Sequence, residues 1–599
     1  MAITIRQLDD EVIERPFNKG QFLRVLAYLK PYKKNIIISV LLMLVATVCT
    51  LGNTYLMSRA VGQLQKKDFS MVPYLLVGMA LMGVIASLCT KHRIRLMDSA
   101  GRRGIAQLRE DLFKHIQDMS FSFFDTRSAG KLLVRVINDV NSLNDLFSNG
   151  IINVIIESLT LVLLLVIMLA VNLRLTLIAM CILPVLGFGI FKLKRTMRKR
   201  WQLHSIKNST MNGYLHETLT GMRVTQSFVR EDENSETFKN VGRDVKKAWF
   251  SATNMANAFW PMLDTTGNIG TVLVYIFGVK FMQSSGLSLA NLLLIIWYLG
   301  KFWEPLNALS DFYNNILTAA ASMERIFEIM DTQSDIQDKA DAQELPPISG
   351  HVTFDNVTFG YNSEKTVLKN VNFDIKPGMT VALVGPTGAG KSTVVNLISR
   401  FYDVTGGRVL IDGHDLRDVK LLSLRRQMSV MMQESFIFSG TIMENIRYGR
   451  LDATDEEVIE AAKTVYAHEF IMKLEKGYQT EVNERGSTLS QGQRQLISFA
   501  RALLNDPKIL ILDEATSSID THTEMLIQKA IDVLLRGRTS FVIAHRLSTI
   551  RNADLIMVVR DGNITERGTH EELIKLPGGH YRALCEAQYR FMTADDGAA

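Results

Sequence analysis

The chain has 599 residues, of which 47% are hydrophobic and 21% charged, and its formal net charge is +6. This apolar fraction excludes an intrinsically disordered chain, and a count of only 4 cysteines excludes a disulfide-rich scaffold. The charge is divided unevenly, because residues 1–330 carry a net charge of +13 and the remaining residues one of −7. A net charge made of two opposite parts does not favour a nucleic acid as the partner.

Six apolar segments with few charges lie in the first 330 residues. Each has roughly 20 residues, the length of helix that crosses a lipid bilayer. Their uniform hydrophobicity differs from the alternating pattern of barrel strands, so we predict membrane-spanning helices. We place the six spans near residues 36–57, 71–90, 151–171, 173–191, 263–282 and 289–309.

Basic residues flank these spans on one side of the membrane. Lys33 and Lys34 precede the first span, residues 91–95 after the second are basic, and so is the run 192–200 after the fourth. Basic residues concentrate on the cytoplasmic side of membrane proteins. We therefore expect a multi-pass plasma-membrane protein with both termini in the cytoplasm.

Two polar stretches between the spans, residues 91–150 and 192–260, have helical patterning and are too long for ordinary loops. We interpret them as long helices that continue into the cytoplasm, each pair closed by a turn. The turns are expected near residues 123–130 and 212–221.

The second half of the chain mixes charged and apolar residues, as a water-soluble α/β domain does. Residues 331–350 are polar and proline-containing, as in a linker, and strand patterns follow it through residues 351–599. Residues 381–393 read VALVGPTGAGKST, an apolar strand that runs into a glycine-rich loop and a helix. Gly385 to Ser392 fit the phosphate-loop pattern G-x-x-x-x-G-K-[ST] in the required context.

The phosphate loop predicts an ATP site in which different residues have different roles. Its glycines let backbone N–H groups point at phosphates, Lys391 supplies positive charge to the β- and γ-phosphates, and the Ser392 hydroxyl can hold Mg²⁺. The predicted ATP-binding residues of the loop are Gly385, Pro386, Thr387, Gly388, Ala389, Gly390, Lys391, Ser392 and Thr393.

An acidic pair follows a second apolar strand, ILILDE, at residues 509–514. Asp513 at the carboxyl end of such a strand is placed to bind a metal ion beside the phosphates. Glu514 stands one residue further out and is able to orient or deprotonate a water for attack on the γ-phosphate. Such a pair more often caps a helix, but the upstream phosphate loop favours catalysis.

A third motif, LSQGQ at residues 489–493, is followed by RQLISFARALLNDPKILILDEATSSID. With these motifs in this order, the chain resembles the ATP-binding cassette (ABC) exporters that fuse membrane and nucleotide-binding parts, over nearly its whole length. The resemblance implies an all-α six-helix transmembrane domain with long cytoplasmic helical extensions, fused to an α/β P-loop nucleotide-binding domain. It also implies transport driven by ATP hydrolysis.

In exporters of this type two cassettes close head to tail over two ATP molecules. The resemblance assigns adenine stacking to Tyr361, contact with Mg²⁺ to Gln433, contact with the γ-phosphate to His545, and the loop that crosses to the opposite site to Asp520. It assigns the turns near residues 124–132 and 213–221 to contacts with the cassettes. The signature residues that would complete the partner's ATP site are Leu489, Ser490, Gln491, Gly492 and Gln493.

Two positions depart from the family pattern, Gln491 and Asn483, since both stand where glycine is common. They weaken the half-site that this chain lends to a partner, whereas its own Lys391, Asp513, Glu514 and His545 are intact. This asymmetry resembles heterodimeric exporters, so we hypothesise a second, different half-transporter as the partner. A homodimeric lipid flippase and an ATP-gated channel or regulator are the alternatives.

Charged residues inside spans are costly in lipid and usually face a cavity. Lys301 and Glu304 are three residues apart in the sixth span and able to pair, and aromatic residues around them suit amphipathic compounds, including cationic ones. We therefore predict that the protein exports drugs or lipids. We also expect membrane lipids to surround its spans. The candidate residues of the substrate cavity are Glu157, Asp264, Trp297, Lys301 and Glu304.

Overall fold

A computed structural model of the protein describes residues 18–285, 287–362, 365–432, 435–483, 486–513, 520–544 and 550–586. The described residues form two compact units. The first comprises the chain up to Gln117 together with Gly130–Thr332, and the second comprises Asp118–Ala129 together with the chain from Gln333 onward. The chain therefore crosses between the units on both sides of a short inserted segment and once more after Thr332.

The N-terminal half of the chain is helical. Two π-helical turns, Arg135–Asp139 and Leu146–Gly150, lie on either side of α6. The helices in chain order are α1 (Lys19–Ala27), α2 (Lys33–Gln65), α3 (Val72–Gln117), α4 (Phe121–Thr126), α5 (Ala129–Val134), α6 (Val140–Asp145), α7 (Ile151–Val171), α8 (Leu173–Met180), α9 (Leu183–Thr220), α10 (Met222–Ser227), α11 (Glu231–Asn257), α12 (Phe259–Ser285), α13 (Leu289–Lys301) and α14 (Trp303–Asp331).

Within the described residues, three helical stretches are long and apolar enough to cross a membrane: Lys30–Gln65, Val72–Gln117 and Asn153–Val171. The other predicted spans coincide with helices of different extent. The predicted fourth span is divided between α8 and α9, just before Pro184, and the predicted sixth is divided at Phe302, just before Pro305. Proline lacks a backbone N–H and fits only the first turn of a helix, which explains why α9 and α14 begin there.

Several helices are longer than a bilayer is thick. The 46 residues of α3 and the 38 of α9 rise about 69 Å and about 57 Å, against about 30 Å of hydrocarbon. The structure thus confirms the predicted long helical extensions. The end of α9 at Thr220 coincides with the second predicted turn.

A buried acidic side chain holds the extension of α14 to the turn between α5 and α6. Asp139 is only 5% exposed and accepts hydrogen bonds from Arg325 at 2.5 and 3.0 Å, from Ser322 at 3.0 Å and from Arg135 at 2.9 Å. Burial disfavours the charged carboxylate, but these hydrogen bonds outweigh burial and keep the pKa of Asp139 below its ordinary value.

We predict that Asp139→Ala lowers the thermal stability of the protein, because it leaves two guanidinium groups without their shared acceptor. Breaking a buried ion pair costs about 3 kcal/mol or more. Asp98→Ala is the matched control, because it breaks an exposed pair with Arg102 that contributes about 0.5 kcal/mol. Thermal unfolding in detergent measures both losses, and equal losses would contradict the assigned role of Asp139.

The second unit is built on a mainly parallel sheet. Its central strands pair in parallel in the order β11–β3–β10–β9–β6, with β12 antiparallel at one edge. The order β2–β1–β4–β5 gives an antiparallel sheet, and β7 pairs with β8. The strands are β1 (Val352–Phe359), β2 (Leu368–Ile375), β3 (Thr380–Val384), β4 (Gly406–Ile411), β5 (His414–Asp415), β6 (Met428–Met431), β7 (Gly440–Thr441), β8 (Glu481–Val482), β9 (Ile509–Asp513), β10 (Thr539–Ile543), β11 (Leu555–Arg560) and β12 (Asn563–Gly568).

Both faces of the parallel sheet are covered. Alternate residues of each central strand enter separate hydrophobic cores; Leu510 and Val542, for example, join one core and Ile511 and Phe541 the other. This explains why these strands are continuous apolar runs. The helices of this unit are α15 (Lys391–Ile398), α16 (Leu421–Arg425), α17 (Ile442–Arg447), α18 (Asp455–Thr464), α19 (His468–Met472), α20 (Gln491–Leu504), α21 (Thr521–Leu535) and α22 (His570–Leu573).

The end of the segment expected to be a linker, residues 331–350, packs on the second unit. Leu345 and Ile348 are buried in one of its cores. Their backbone N–H groups donate to the Ser423 hydroxyl at 2.9 Å and to the Gln427 amide oxygen at 2.8 Å. This part of the segment is therefore fixed in place by the α/β domain.

Candidate functional site

A tight glycine-rich turn joins β3 to α15. Gly385 has a φ of +144°, and a Cβ built on it would lie 2.1 Å from the carbonyl oxygen of Val559. Gly390, the N-cap of α15, has a φ of +110°, and its Cβ would lie 2.9 Å from Leu368. Only glycine satisfies both the backbone angle and the lack of space. The loop therefore has the strand–turn–helix geometry that the sequence predicts.

The ammonium group of Lys391 lies inside this turn. Lys391 is only 8% exposed, and its Nζ donates to the carbonyl oxygens of Gly385 at 2.8 Å and Pro386 at 2.9 Å. Burial lowers the pKa of Lys391, while the negative charge of Asp513 opposes this shift. A buried cation beside the N-terminus of a helix fits an anionic phosphate group. Ser392, the next residue, is exposed.

The sheet places Asp513 at the same edge. Strands β3 and β9 both pair in parallel with β10, and Ile543 of β10 lies opposite Leu383 on one side and Asp513 on the other. The carboxyl ends of parallel strands form the usual ligand site of such sheets. Asp513 is half-buried there, so a carboxylate and the Lys391 ammonium border the same site.

The three predicted catalytic residues, Glu514, His545 and Gln433, lie outside the described residues. In the sequence they stand at or just beyond the ends of β9, β10 and β6. Their roles stay predictions, but each follows a strand of the parallel sheet that carries the phosphate loop.

Tyr361 is positioned by other aromatic rings. It is 45% exposed, its hydroxyl lies 3.2 Å from the Thr393 hydroxyl, and its ring meets Phe359 and Tyr402 edge-on with centroids 5.0 Å apart. Edge-to-face neighbours orient an aromatic ring without covering its faces. This arrangement suits the predicted role of Tyr361 as a platform for adenine.

The signature segment begins α20. The Ser490 hydroxyl accepts a hydrogen bond from the Gln493 N–H at 3.3 Å, and the Gln493 side chain accepts one from the Ser490 N–H at 3.0 Å. This capping box gives Gln493 a structural role. Gln491 is exposed in the first turn of the helix, whereas Leu489 and Gly492 are buried.

Asp520 caps the next helix, α21. Its carboxylate accepts a hydrogen bond from the Thr523 N–H at 2.9 Å, which lowers the pKa of Asp520. The side chain is exposed, so the capping geometry leaves it accessible to a partner.

The inserted helix α4 packs on the α/β domain, a contact whose partners the sequence did not reveal. The ring of Phe121 stacks on Phe401 with centroids 5.0 Å apart. The Tyr402 hydroxyl donates to the Asp125 carboxylate, and the Ser122 hydroxyl donates to the carboxylate of Asp335 at 2.6 Å. Burial, followed by the bond to Asp125, raises the pKa of Tyr402. Because Tyr402 also touches Tyr361, it lies between α4 and the predicted adenine platform.

In the first unit, a cavity of about 360 Å³ lies among α2, α3 and α13. Of the predicted cavity residues, Trp297 and Lys301 line it, together with side chains from α2 and α3. Glu157, Asp264 and Glu304 are outside its lining; Asp264 and Glu304 are exposed, and Glu157 is half-buried.

The second unit is thus a P-loop nucleotide-binding domain, fused to a unit of membrane-length helices. Sequence profiles agree, since residues 36–306 match the ABC transporter transmembrane region and residues 368–517 match the ABC transporter domain. The chain belongs to the ABC transporter family, in the branch of exporters that fuse these two parts.

Similar proteins cover almost the entire chain. The ABC transporter ATP-binding protein YknV of Bacillus subtilis is 44% identical over 97% of this chain and 96% of its own length. An ATP-dependent lipid A-core flippase of Syntrophus aciditrophicus is 36% identical over 95% of this chain and 94% of its own. The solved structure of a bacterial Atm1-family ABC exporter with ATP bound has a TM-score of 0.79 and 28% identity, and covers 93% of this chain and 98% of that one.

These similarities fix the general activity. The chain is a multi-pass membrane protein that binds ATP and couples ATP hydrolysis to export. Exporters of this family act as dimers.

We predict that Tyr361→Ala weakens ATP binding roughly tenfold, because loss of a ring stacked on a base costs about 1–3 kcal/mol. Tyr361→Phe is the matched control, since it keeps the ring and removes only the hydroxyl next to Thr393. Equilibrium binding of a fluorescent ATP analogue to the full chain gives both affinities. If Tyr361→Phe weakens binding as much as Tyr361→Ala, the ring is not the platform.

Proposed function

We propose that this chain is one half of a dimeric exporter that moves amphipathic compounds, drugs or lipids, out of the cytoplasm by alternating access. The observation that carries the proposal is the contact of α4 with the nucleotide-binding domain. Helix α4 follows the membrane part along the chain, yet it packs as a component of the domain that binds ATP. ATP favours the closed pair of cassettes, and its hydrolysis removes that preference.

At the ATP site, the loop N–H groups and Lys391 bind the β- and γ-phosphates. The Ser392 hydroxyl, the Asp513 carboxylate and Gln433 hold Mg²⁺; their oxygen atoms are the ligands that this hard cation prefers. Support comes from the exposed Ser392 and the half-buried Asp513 at the edge of the phosphate loop. In this proposal His545 contacts the γ-phosphate, and Mg²⁺ when bound neutralises charge on the phosphates.

Glu514 is the proposed catalytic carboxylate, which orients or deprotonates the attacking water. We predict that Glu514→Gln retains ATP binding and loses nearly all turnover, because the amide cannot accept the proton. Glu456→Gln, an exposed residue of α18, is the control and is expected to hydrolyse ATP normally. Steady-state ATPase activity and ATP binding are measured on the same preparations; normal turnover by Glu514→Gln would refute the role.

Two observations support a partner subunit. The tip formed by α9 and α10 carries exposed apolar side chains, among them Leu219, Val224 and Phe228. Contiguous exposed apolar residues mark interaction surfaces. The signature segment, for its part, presents Gln491 at the start of α20, where it would meet a partner's ATP. The nucleotide-binding domains and both termini lie in the cytoplasm in this proposal.

We propose that the partner is a different half-transporter, with a standard glycine signature and a defective catalytic carboxylate. The ATP site built on this chain's Lys391, Asp513 and Glu514 then hydrolyses ATP, while the site that receives Gln491 holds it with little turnover. In a homodimer, by contrast, both sites would carry Gln491.

The expected result is a complex of two chain types with full ATPase activity, and low activity of this chain purified alone. Mass measurement of the purified complex, with and without the product of the neighbouring gene, gives the composition. Full ATPase activity and transport from a single chain type would refute the heterodimer. The outcome does not affect the assignment of Glu514, which the substitution above tests separately.

Relatives favour lipid-like cargo. The similar protein from Syntrophus aciditrophicus is a lipid A-core flippase, and the cavity in the membrane unit of this chain is large enough for a small amphipathic group. ATPase stimulation across a panel of drugs, lipids and peptides tests the cargo class. Stimulation by peptides alone would contradict it.

A further inference from the structure

The end of α14 is weakly stabilised by its own sequence. Its last turn contains two acidic residues, Glu328 and Asp331, and no basic one. The C-terminus of a helix carries a partial negative charge, so a carboxylate there is unfavourable. No glycine follows to close the helix, since residues 332–335 read TQSD, and the Thr332 hydroxyl donates to the Glu328 carbonyl instead. The stability of this turn therefore depends on residues from elsewhere in the chain.

Helix α1 supplies the missing positive charge. The Arg24 guanidinium donates two hydrogen bonds to the Asp331 carboxylate, both at 2.8 Å, and lies over the ring of Phe327, 4.1 Å from its centroid. A bidentate, stacked guanidinium has a defined geometry that most surface ion pairs lack. The bond to Arg24 lowers the pKa of Asp331, so the pair stays ionised at neutral pH.

Helix α3 caps the same turn. The Nε2 atom of His115 lies 3.0 Å from the carbonyl oxygen of Ile329 and 3.1 Å from that of Thr332. Because a carbonyl oxygen can only accept, Nε2 carries the proton and donates it to both oxygens. The last carbonyls of an α-helix lack their regular partners within the helix. His115 and Arg24 thus stabilise the end of α14 from two other helices.

Helix α1 is itself held against α3. Val25 is fully buried, and the Tyr28 hydroxyl donates to the Asp111 carboxylate. Gly104 of α3 permits a close approach, since a Cβ built on it would lie 3.3 Å from the carbonyl oxygen of Tyr28. Helix α1 therefore joins the cytoplasmic extension of α3 to the end of α14 through Arg24.

The chain leaves the first unit directly after this turn. Thr332 is the last residue of that unit, and Gln333 begins the second. The last turn of α14 is thus a covalent joint between the membrane helices and the nucleotide-binding domain. Segments with few stabilising contacts of their own open first in a folded protein. The stiffness of the joint accordingly depends on the contacts with α1 and α3.

We propose that α1 is a strap: Arg24 keeps the last turn of α14 helical, and the stiff joint restrains ATP hydrolysis. With the strap closed, the nucleotide-binding domain moves only together with α14. With the strap open, the turn unwinds, the domain moves more freely and basal turnover rises. The inference goes beyond the proposed export function, because it requires neither a particular cargo nor a particular partner subunit.

Hydrogen–deuterium exchange of the full chain in nanodiscs measures the strap directly. Arg24→Gln is expected to speed exchange of the backbone amides of α1 and of residues 329–333 about threefold, the contribution of a well-oriented exposed ion pair. Basal ATPase activity is expected to rise by up to the same factor, because the restraint cannot exceed the free energy that closes the strap. Arg102→Gln breaks the exposed pair with Asp98 within α3; it is the matched control and is expected to change neither.

A charge swap separates the strap from a general loss of structure. Arg24→Asp places two carboxylates together and is expected to have a larger effect than Arg24→Gln. Adding Asp331→Arg restores a pair of reversed polarity, so exchange in α1 and basal ATPase activity are expected to return towards the original values. Because Asp331→Arg by itself favours the end of α14 through the helix dipole, exchange in α1 is the decisive readout.

Salt provides a test without any substitution. Both side chains of the pair are about half exposed, so raising the ionic strength from about 0.05 M to about 0.5 M screens their attraction. Salt is expected to speed exchange in α1 of the original chain and to leave Arg24→Gln unchanged. An equal effect of salt on both, or no recovery of α1 in the charge swap, would overturn the strap. Faster exchange in Arg24→Gln with unchanged ATPase activity would overturn the restraint on hydrolysis.

Discussion

The stacking of Phe121 on Phe401 is the contact through which the nucleotide-binding domain holds a piece of the membrane part of the chain. Helix α4 follows α3 and precedes α5, both of the first unit, yet its side chains are packed as part of the second. A movement of the nucleotide-binding domain therefore displaces a segment that is covalently joined at both ends to the long helices.

Tyr402 brings this contact close to the ATP site. Its hydroxyl bonds to Asp125 on α4, while its ring touches the edge of Tyr361. Only the side chain of Tyr402 thus lies between Tyr361, the predicted adenine platform, and Asp125 on α4. The predicted adenine platform and α4 therefore share one packing neighbour.

The two units solve the same electrostatic problem in different ways. Lys391 is buried in the phosphate loop and compensated by two backbone carbonyls and the nearby Asp513. Lys301 lies deep in a span, and the lining of its cavity holds no carboxylate. In the first case the protein itself compensates the cation, and in the second the residues that line the cavity supply no opposite charge.

Local patterns predicted the local structure well. The phosphate loop and the strand before Asp513 are each encoded in a short run of residues, and the structure has them where the sequence predicts them. Pro184 and Pro305 are also visible in the sequence, and they account for the divided helices that the hydropathy pattern alone presented as continuous.

Contacts between distant residues were beyond sequence reasoning. Nothing in the run around Phe121 indicates that its partner is Phe401, and nothing near Asp139 points to Arg325. The same holds for the cavity, whose lining depends on how three helices pack. Hydrophobicity and charge gave no means to separate Lys301 and Trp297, which line this cavity, from Glu304, which does not.

The residues on which α4 packs come much later in the chain than α4 itself, and this order matters during biosynthesis. Tyr402 follows Asp125 by 277 residues, which at ribosomal speed corresponds to roughly 15 to 55 seconds of translation. Throughout that interval Phe121 of α4 lacks Phe401 and Tyr402, the aromatic residues on which it packs in the folded protein. The final packing of α4 therefore has to wait until the nucleotide-binding domain has been synthesised, although the helices on both sides of α4 are made first.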